Sequence, residues 1–436
     1  MLRGNHIRTF RPKYGKSSGF LPLPASVNRM NGYRKHLVPY ILVCMILIFY
    51  FLNPIGYYKQ WTSTATHNYP ASHPLTSPYV IESSSKYLFP PIEHAPLLKQ
   101  LTPKKLVKEN RIRDANFPEI EKSFIQSLNI EDDPDPIRQR IKEDEENALS
   151  DIARVKNTFK NQDKLVYKPK STKNYPDVVI VTAVDFEKYS LEGLTKIVQN
   201  RVDYGHAQNY GVYVRWYQEF LPILHSFSYL HVKEKAKWVR LYCLRAAMFA
   251  FPEAKWFWYI EQDALIMNLQ IDLEQYLLSP EALDPAMKRE QPIIPPDGAI
   301  KTYKNLQPGS VKLIVTQNEL MIDSSSFFIK NDVIGRSIIE FWGDKLYLLY
   351  QNFQYGPDSA LTHILQWHPF FLSKSTIISA RSINSLAYSL DLSEDSKKQD
   401  QYHYQKGDFV VQWTDQEDIN MCEKILSQYY SILKGN

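Results

Sequence analysis

The hydrophobic rhythm of this chain changes several times along its length. Leu37–Leu52 (LVPYILVCMILIFYFL) is apolar on every side, and the uncharged run extends from His36 to Tyr58. Residues 59–110 keep neither a helical nor a strand period and are rich in Pro, Ser, Thr and His, which predicts an extended stem. Residues 131–165 are charged, yet Ile137, Ile141, Leu149, Ile152 and Val155 are spaced for an amphipathic helix, packed on the body or on a partner. From Tyr175 onward the pattern is that of a folded domain. Asp177–Val184 is a continuous β-branched run, as in a central parallel strand. Leu191–Tyr204 predicts a helix, Tyr210–Tyr217 a strand, and Lys235–Phe251 a helix with Trp238, Leu241, Leu244 and Met248 on one stripe. Lys255–Ile260 (KWFWYI) predicts a third strand. The alternation implies an α/β domain with a mostly parallel central sheet and right-handed crossovers.

Charge alters the reading of the amino terminus. The chain has 436 residues and a net charge of +5, but residues 1–36 hold Arg3, Arg8, Arg11, Lys13, Lys16, Arg29, Arg34 and Lys35 with no acid. Removing those eight leaves −3 on the rest, so the basic excess is a tail and not a nucleic-acid-binding face. A basic tail before an apolar run reads as a transmembrane anchor over residues 37–58, since spanning a bilayer takes about 20 apolar residues. A cleaved signal peptide fits less well, because the run starts late and no small-residue cleavage pattern follows it. A buried core helix fits less well with the flanking tyrosines, which favour the interface. The positive-inside rule then places residues 1–36 in the cytosol and the remainder in a lumen, a type II topology. The short span suits a thin early-secretory membrane. The implied organisation is tail 1–36, anchor 37–58, stem with charged helix 59–174, and luminal domain 175–436.

Three cysteines exclude a disulfide scaffold or a multi-cysteine zinc module. Cys243 and Cys422, the two after the anchor, can pair or stay as buried thiols. The sequence has no Asn-x-Ser/Thr sequon. Trp342, Tyr347 and Tyr350 recur at helical spacing and read as core.

Parallel sheets bind ligands beyond the carboxyl ends of their strands. The aromatic strand ends in Glu261-Gln262-Asp263. Two carboxylates at i and i+2, in a turn after so apolar a strand, can converge on one hard divalent cation that retains room for phosphate oxygens. Burying that strand against paired acids has a cost that a binding site explains.

Several separated segments carry a resemblance. Asn200–Tyr204, the helix from Trp238 through Leu244-Arg245-Ala246-Ala247-Met248, Phe251–Trp258, the acid triplet with Ala264–Asn268, Phe327–Asn331, Asp358–Leu361, Asn384–Leu386 and Gly407–Val411 resemble glycosyltransferase family 34, in the family's order over about residues 175–425. Within it, the short tail and the aromatic EQDALIMN version look most like fungal Golgi α-1,6-mannosyltransferase subunits. The resemblance implies a GT-A-type nucleotide-sugar-binding fold, a GDP-mannose donor, retention of configuration, Mn²⁺, a mannan or N-glycan acceptor, and companion mannosyltransferase subunits in a Golgi mannan polymerase complex.

It also implies site residues. Glu261 and Asp263 would hold the metal that bridges the two phosphates, a charge-neutralising role metals fill well. Arg201 and Tyr204 would lie near the nucleotide, with Tyr204 stacking on base or ribose. Arg240 replaces the family's usual lysine and would face phosphate, and Gln262 joins the nucleotide-sugar contacts. Asp358 lies where the family places an acid near the donor sugar, and Asp323, where the family commonly has Asn, is the second candidate catalytic carboxyl. Two departures weaken the metal site: Glu261 stands in place of an Asp, and Gln412 in place of a metal-binding His. They motivate a second reading, a non-catalytic subunit that keeps the fold and scaffolds partners. A third reading is a transferase that uses another sugar nucleotide.

Overall fold

A strand without a polar face must be covered on both sides, and the chain does this for three strands in succession. The computed structural model of the protein describes residues 43–44, 80–101, 106–113, 121–127, 135–160, 162, 165–171, 175–225, 232–350, 352–388, 400–414 and 416–435. Internal contacts separate residues 1–67 from 68–436, and in the first unit only Val43 and Cys44, which are helical, are described. The basic tail of residues 1–36 lies outside the described residues, as does the predicted anchor apart from those two positions. Among the described residues no helix is long and apolar enough to cross a membrane.

Two sheets carry the site. In chain order their strands are β1 (Tyr87–Leu88), β2 (Val178–Val184), β3 (Gly211–Trp216), β4 (Trp256–Ile260), β5 (Ala264–Ile266), β6 (Leu313–Gln317), β7 (Ile322–Lys330), β8 (Ser375–Ile377), β9 (Ser385–Leu386) and β10 (Val410–Gln412). The main sheet runs β8-β6-β7-β4-β2-β3-β1, and a smaller one runs β9-β10-β5. β2, β3 and β4 are buried at every position, which accounts for their almost wholly apolar sequences, Thr182 and Arg215 being the exceptions. β2 pairs in parallel with β3 on one side and β4 on the other, as do β1 with β3 and β6 with β8. The expected parallel sheet is interrupted at one place, where β7 lies antiparallel to both β4 and β6. Part of the region read as stem belongs to this sheet, since β1 is its edge strand.

Five helices matter for the site and its support: α1 (Leu191–Ala207), α2 (Val232–Ala250), α3 (Val333–Trp342), α4 (Pro357–Trp367) and α5 (Ile419–Lys434). α1 starts on an N-cap, with the Ser190 hydroxyl accepting the Gly193 N–H at 3.1 Å, the satisfaction that a first helical turn requires. α2 packs on β2 and β4, and α4 on β7. The aromatic strand sits at the centre of the core. Trp258 stacks on Phe328 at 5.2 Å and on Phe409 at 5.4 Å, and its indole N–H reaches Ser326 Oγ at 3.0 Å. Each such aromatic pair adds about 0.5–1.5 kcal/mol beyond its burial.

The charged region 131–165 forms two helices, Pro136–Leu149 and Asp151–Lys160, parted at Ser150, whose hydroxyl accepts the Ala153 N–H. Val155 and Phe159 are buried, while Ile137, Ile141 and Ile152 face solvent. Trp342 and Tyr347 are buried as expected of core residues, but Tyr350 is half exposed: α3 stops at Trp342, a second short helix spans Lys345–Leu348, and Tyr350 lies beyond it. Cys243 and Cys422 are free buried thiols.

Candidate active site

The acid triplet is where the chain leaves the main sheet for the small one. Glu261 N–H still donates to Ser325 of β7 at 3.0 Å, and three residues later β5 pairs with β10. Such a crossing exposes backbone carbonyls, and Arg201 satisfies them. Its Nη2 donates to the carbonyls of Glu261 and Ala264, both at 2.8 Å, and its Nη1 to Asn200 Oδ1 at 2.6 Å. Asn200 in turn exchanges two 2.9 Å hydrogen bonds with the backbone of Ile266. Arg201 is therefore wholly buried beneath the turn, holding its shape. Tyr204 is likewise buried: its hydroxyl donates to the Ile271 carbonyl at 2.6 Å and its ring meets Trp258 edge-on. Both were expected beside the nucleotide; the structure buries both, Arg201 under the turn and Tyr204 against the aromatic core.

Above the turn lies a charged cluster centred on Arg240, which projects from α2. Its Nε donates to Glu261 Oε1 at 2.5 Å, and its Nη1 to Ser324 Oγ at 2.9 Å and Asp358 Oδ1 at 3.0 Å. Asp358, in the first turn of α4, also accepts the Ser324 N–H at 2.9 Å and is bonded by the Ser324 hydroxyl. One guanidinium thus ties the end of β4, the start of β7 and the start of α4. Its side chain is 1% exposed, whereas those of Glu261 and Asp358 retain 13% and 10%, so what access the cluster has to solvent is through the two acids. Burial pushes the Glu261 carboxyl up, against the pull of Arg240. Burial also opposes the charge of Arg240, but Asp358 and Glu261 outweigh it and hold the guanidinium firmly protonated.

Asp323 is one residue before Ser324. It accepts from Ser325 N–H at 2.9 Å and from the Ser325 hydroxyl on one oxygen, and from Asn384 Nδ2 at 2.9 Å on the other. Asn384 also donates to Thr316 Oγ1 at 3.0 Å, so this side chain joins β6, β7 and the segment before β9. Burial and then the nearby Asp358 raise the Asp323 carboxyl.

Asp263 belongs to a second group. Its Oδ2 faces Lys188 Nζ at 2.8 Å, and its Oδ1 accepts from the Tyr189 hydroxyl at 2.5 Å. Trp413 Nε1 donates to the same Tyr189 oxygen at 2.9 Å. Gln262 Oε1 accepts the Asp185 N–H at 2.8 Å, which binds the triplet to the loop after β2. Gln412 is buried in β10 opposite Ala264, and its amide oxygen accepts the Thr414 N–H at 2.7 Å.

Of the residues singled out from sequence, Glu261, Arg240 and Asp358 are directly linked, Asp323 is beside them, and Asp263, Gln262 and Gln412 lie around the same turn. Lys188, Tyr189, Ser324 and Asn384 were given no role from sequence. The signal for the first two was available, because they follow the first core strand at its carboxyl end, where such sheets place ligands.

A manganese ion needs oxygen or imidazole ligands whose lone pairs face it and are not taken by a competing cation. Here Asp263 faces an ammonium and a hydroxyl, Glu261 is paired with a guanidinium, and the Gln412 oxygen is bonded by a backbone amide. Among the described residues no three His, Cys, Asp or Glu side chains are grouped so that they could hold an ion. This donor set does not fit the divalent cation that the resemblance implies.

Comparison with known proteins decides the family. A profile of the galactosyl transferase GMA12/MNN10 family matches residues 174–423. The chain belongs to this family. The match begins just before β2 and ends within α5, so it includes every residue of the charged cluster. A Saccharomyces cerevisiae protein named probable alpha-1,6-mannosyltransferase MNN11 is 34% identical over 417 residues, 90% of each chain. An alpha-1,2-galactosyltransferase of Schizosaccharomyces pombe is 26% identical over 61% of this chain and 69% of its own. The S. cerevisiae probable alpha-1,6-mannosyltransferase MNN10 is 23% identical over 46% of this chain and 49% of its own.

Proposed function

We propose that this protein is a GT-A-type α-1,6-mannosyltransferase that transfers mannose from GDP-mannose, with retention, to the mannan backbone of N-linked glycans. It would act as a single-pass type II protein of the Golgi membrane, beside other mannosyltransferase subunits. The observation that carries the reading is the Arg240–Glu261–Asp358 cluster at the carboxyl end of β4, in a chain 34% identical along 90% of its length to a probable α-1,6-mannosyltransferase.

In this reading the C1–O bond to the diphosphate breaks while the acceptor 6-hydroxyl attacks C1 on the same face, and the acceptor proton passes to the departing diphosphate. Such a step needs no protein nucleophile; it needs position and electrostatic complement. Arg240 supplies the first by fixing Glu261 and Asp358 relative to each other. Asp358 is the carboxylate assigned to the sugar, and Asp323, held by Asn384 and Ser325, supports it from the neighbouring position on β7. No step is drawn through manganese, because the donor set is already engaged. The test is incubation of the full-length chain, alone and in its assembled complex, with GDP-mannose and a mannose oligosaccharide; absence of transfer in both defeats the proposal.

The hydrogen bond that occupies Gln412 and the cations on Glu261 and Asp263 favour a second reading, a scaffold subunit with a degenerate metal site. It predicts that Glu261→Ala with Asp263→Ala leaves mannan length in cells unchanged at unchanged protein level. Under the first reading the same variant shortens the chains. A galactosyltransferase among the relatives keeps a different sugar donor in view, and calorimetry with a panel of sugar nucleotides separates it.

A further inference from the structure

Lys188 was unassigned, yet it makes the closest cationic contact to the second acid of the triplet. It lies in the loop between β2 and α1, its Nζ 2.8 Å from Asp263 Oδ2, with 19% of its side chain open to solvent. On the first acid the equivalent place is taken by Arg240, 2.5 Å from Glu261 Oε1. Each carboxylate that a divalent ion would need thus already has a protein cation, and the third ligand position is a glutamine whose oxygen is bonded elsewhere. The two cations differ in what they can do next. Arg240 is buried and committed to three partners on three elements. Lys188 is a point charge with three N–H donors on a flexible four-carbon stem, and Asp263 takes one of those donors.

We propose that Lys188 and Arg240 stand in place of the divalent cation, neutralising the acid pair, and that Lys188 meets the diphosphate of the nucleotide donor, so that this chain binds its nucleotide without a metal ion. The proposal rests on the sugar-nucleotide reading above. Lys188 is a binding residue here, and Asp263 positions it, helped by the Tyr189 hydroxyl on its other oxygen and by Trp413 behind that.

The experiment uses the purified full-length chain in detergent and has two arms. In the first, MnCl₂ alone is titrated and followed by the electron paramagnetic resonance of the free ion. The wild type is expected to show no saturable binding below about 1 mM, and Lys188→Met with Gln412→His, which frees Asp263 and adds an imidazole, is expected to bind at least about tenfold tighter. Stoichiometric wild-type binding below that limit, lost in Asp263→Asn, overturns the proposal. In the second arm, GDP and guanosine are titrated by calorimetry in EDTA and in Mn²⁺. Wild-type GDP affinity is expected to agree within about twofold between the two buffers, and Lys188→Met to lose about tenfold for GDP but nothing for guanosine, which has no diphosphate. Lys188→Arg, which keeps the charge, is expected to retain most of the affinity. A tenfold gain in GDP affinity from Mn²⁺, or equal losses for both ligands in Lys188→Met, overturns it. Absence of GDP binding in either buffer removes the sugar-nucleotide reading and the role of Lys188 with it, while the manganese arm still decides what the acid pair holds.

Discussion

Removing the Arg240 guanidinium should test both the packing and the chemistry of the charged cluster. Arg240→Ala leaves Glu261 and Asp358 without their cation, deletes the 2.9 Å bond to Ser324 Oγ, and opens a gap between α2 and β7. Breaking a buried ion pair by deleting one partner costs about 3–5 kcal/mol, because an uncompensated charge stays inside. Arg240→Lys keeps the charge but cannot span Glu261, Ser324 and Asp358 together, so it should cost about half as much. The pH dependence has a definite sign. The folded carboxyl of Glu261 is raised by burial even with Arg240 present. Without Arg240 it rises further above its unfolded value, so the folded state prefers the protonated acid. The penalty is then fully present above the folded pKa and is relieved as pH falls through it toward the unfolded value. Urea unfolding at several pH values, read by tryptophan fluorescence, measures this directly. An Arg240→Ala variant within about 1 kcal/mol of wild type at pH 7, or one that loses further stability relative to wild type on mild acidification, refutes the assignment of Arg240 as the electrostatic keystone.

Other expectations follow from the same geometry. Asp358→Asn preserves shape but removes the charge facing the proposed sugar, and kcat/KM for GDP-mannose transfer should fall about 10²–10³-fold; an unchanged rate excludes Asp358 from the chemistry. Asn384→Leu strands Asp323, Thr316 and Ser325 without their shared amide, and chemical denaturation should register a loss of about 1–3 kcal/mol. In Gly335→Ala the new Cβ would fall 1.9 Å from the Lys330 carbonyl oxygen, so the first turn of α3 must shift, at about 1–3 kcal/mol on the melting transition. Cys243, whose thiol burial pushes up to about 12, and Cys422 should both resist a thiol reagent in the native protein and both react in guanidinium without reductant; protection that persists on unfolding would mean they are paired.

Strand and helix placement was legible because the pattern left few choices. Val178–Val184 and Trp256–Ile260 have no polar alternation, and only double-sided coverage can satisfy them. The direction of β7 was not legible, because Asp323 and three serines follow Ile322 at its start and blur its pattern, and its antiparallel course is set by pairing with distant β4 and β6. The acid triplet was legible from its place at a strand end. Its partners were not: Arg240 lies 21 positions upstream of Glu261 and Asp358 lies 118 positions beyond Arg240, so only tertiary folding unites them. Arg201 and Tyr204 show the converse. The resemblance implied ligand contact, whereas the backbone crossing between the two sheets takes the Arg201 guanidinium and the Ile271 carbonyl takes the Tyr204 hydroxyl. The cations on Glu261 and Asp263 were not legible for a related reason, since two carboxylates at i and i+2 say nothing about which cations the rest of the chain will bring to them.

The central claim is that a sugar nucleotide sits against the turn where β4 ends. Hydrogen–deuterium exchange of the full-length chain with and without GDP-mannose addresses it most directly. The account predicts added protection confined to peptides that contain Lys188–Tyr189, Glu261–Asp263, Asp323–Ser325 and Asp358. Unchanged exchange at all four, or protection only at the groove lined by Tyr303, Lys304 and Lys374, would contradict it.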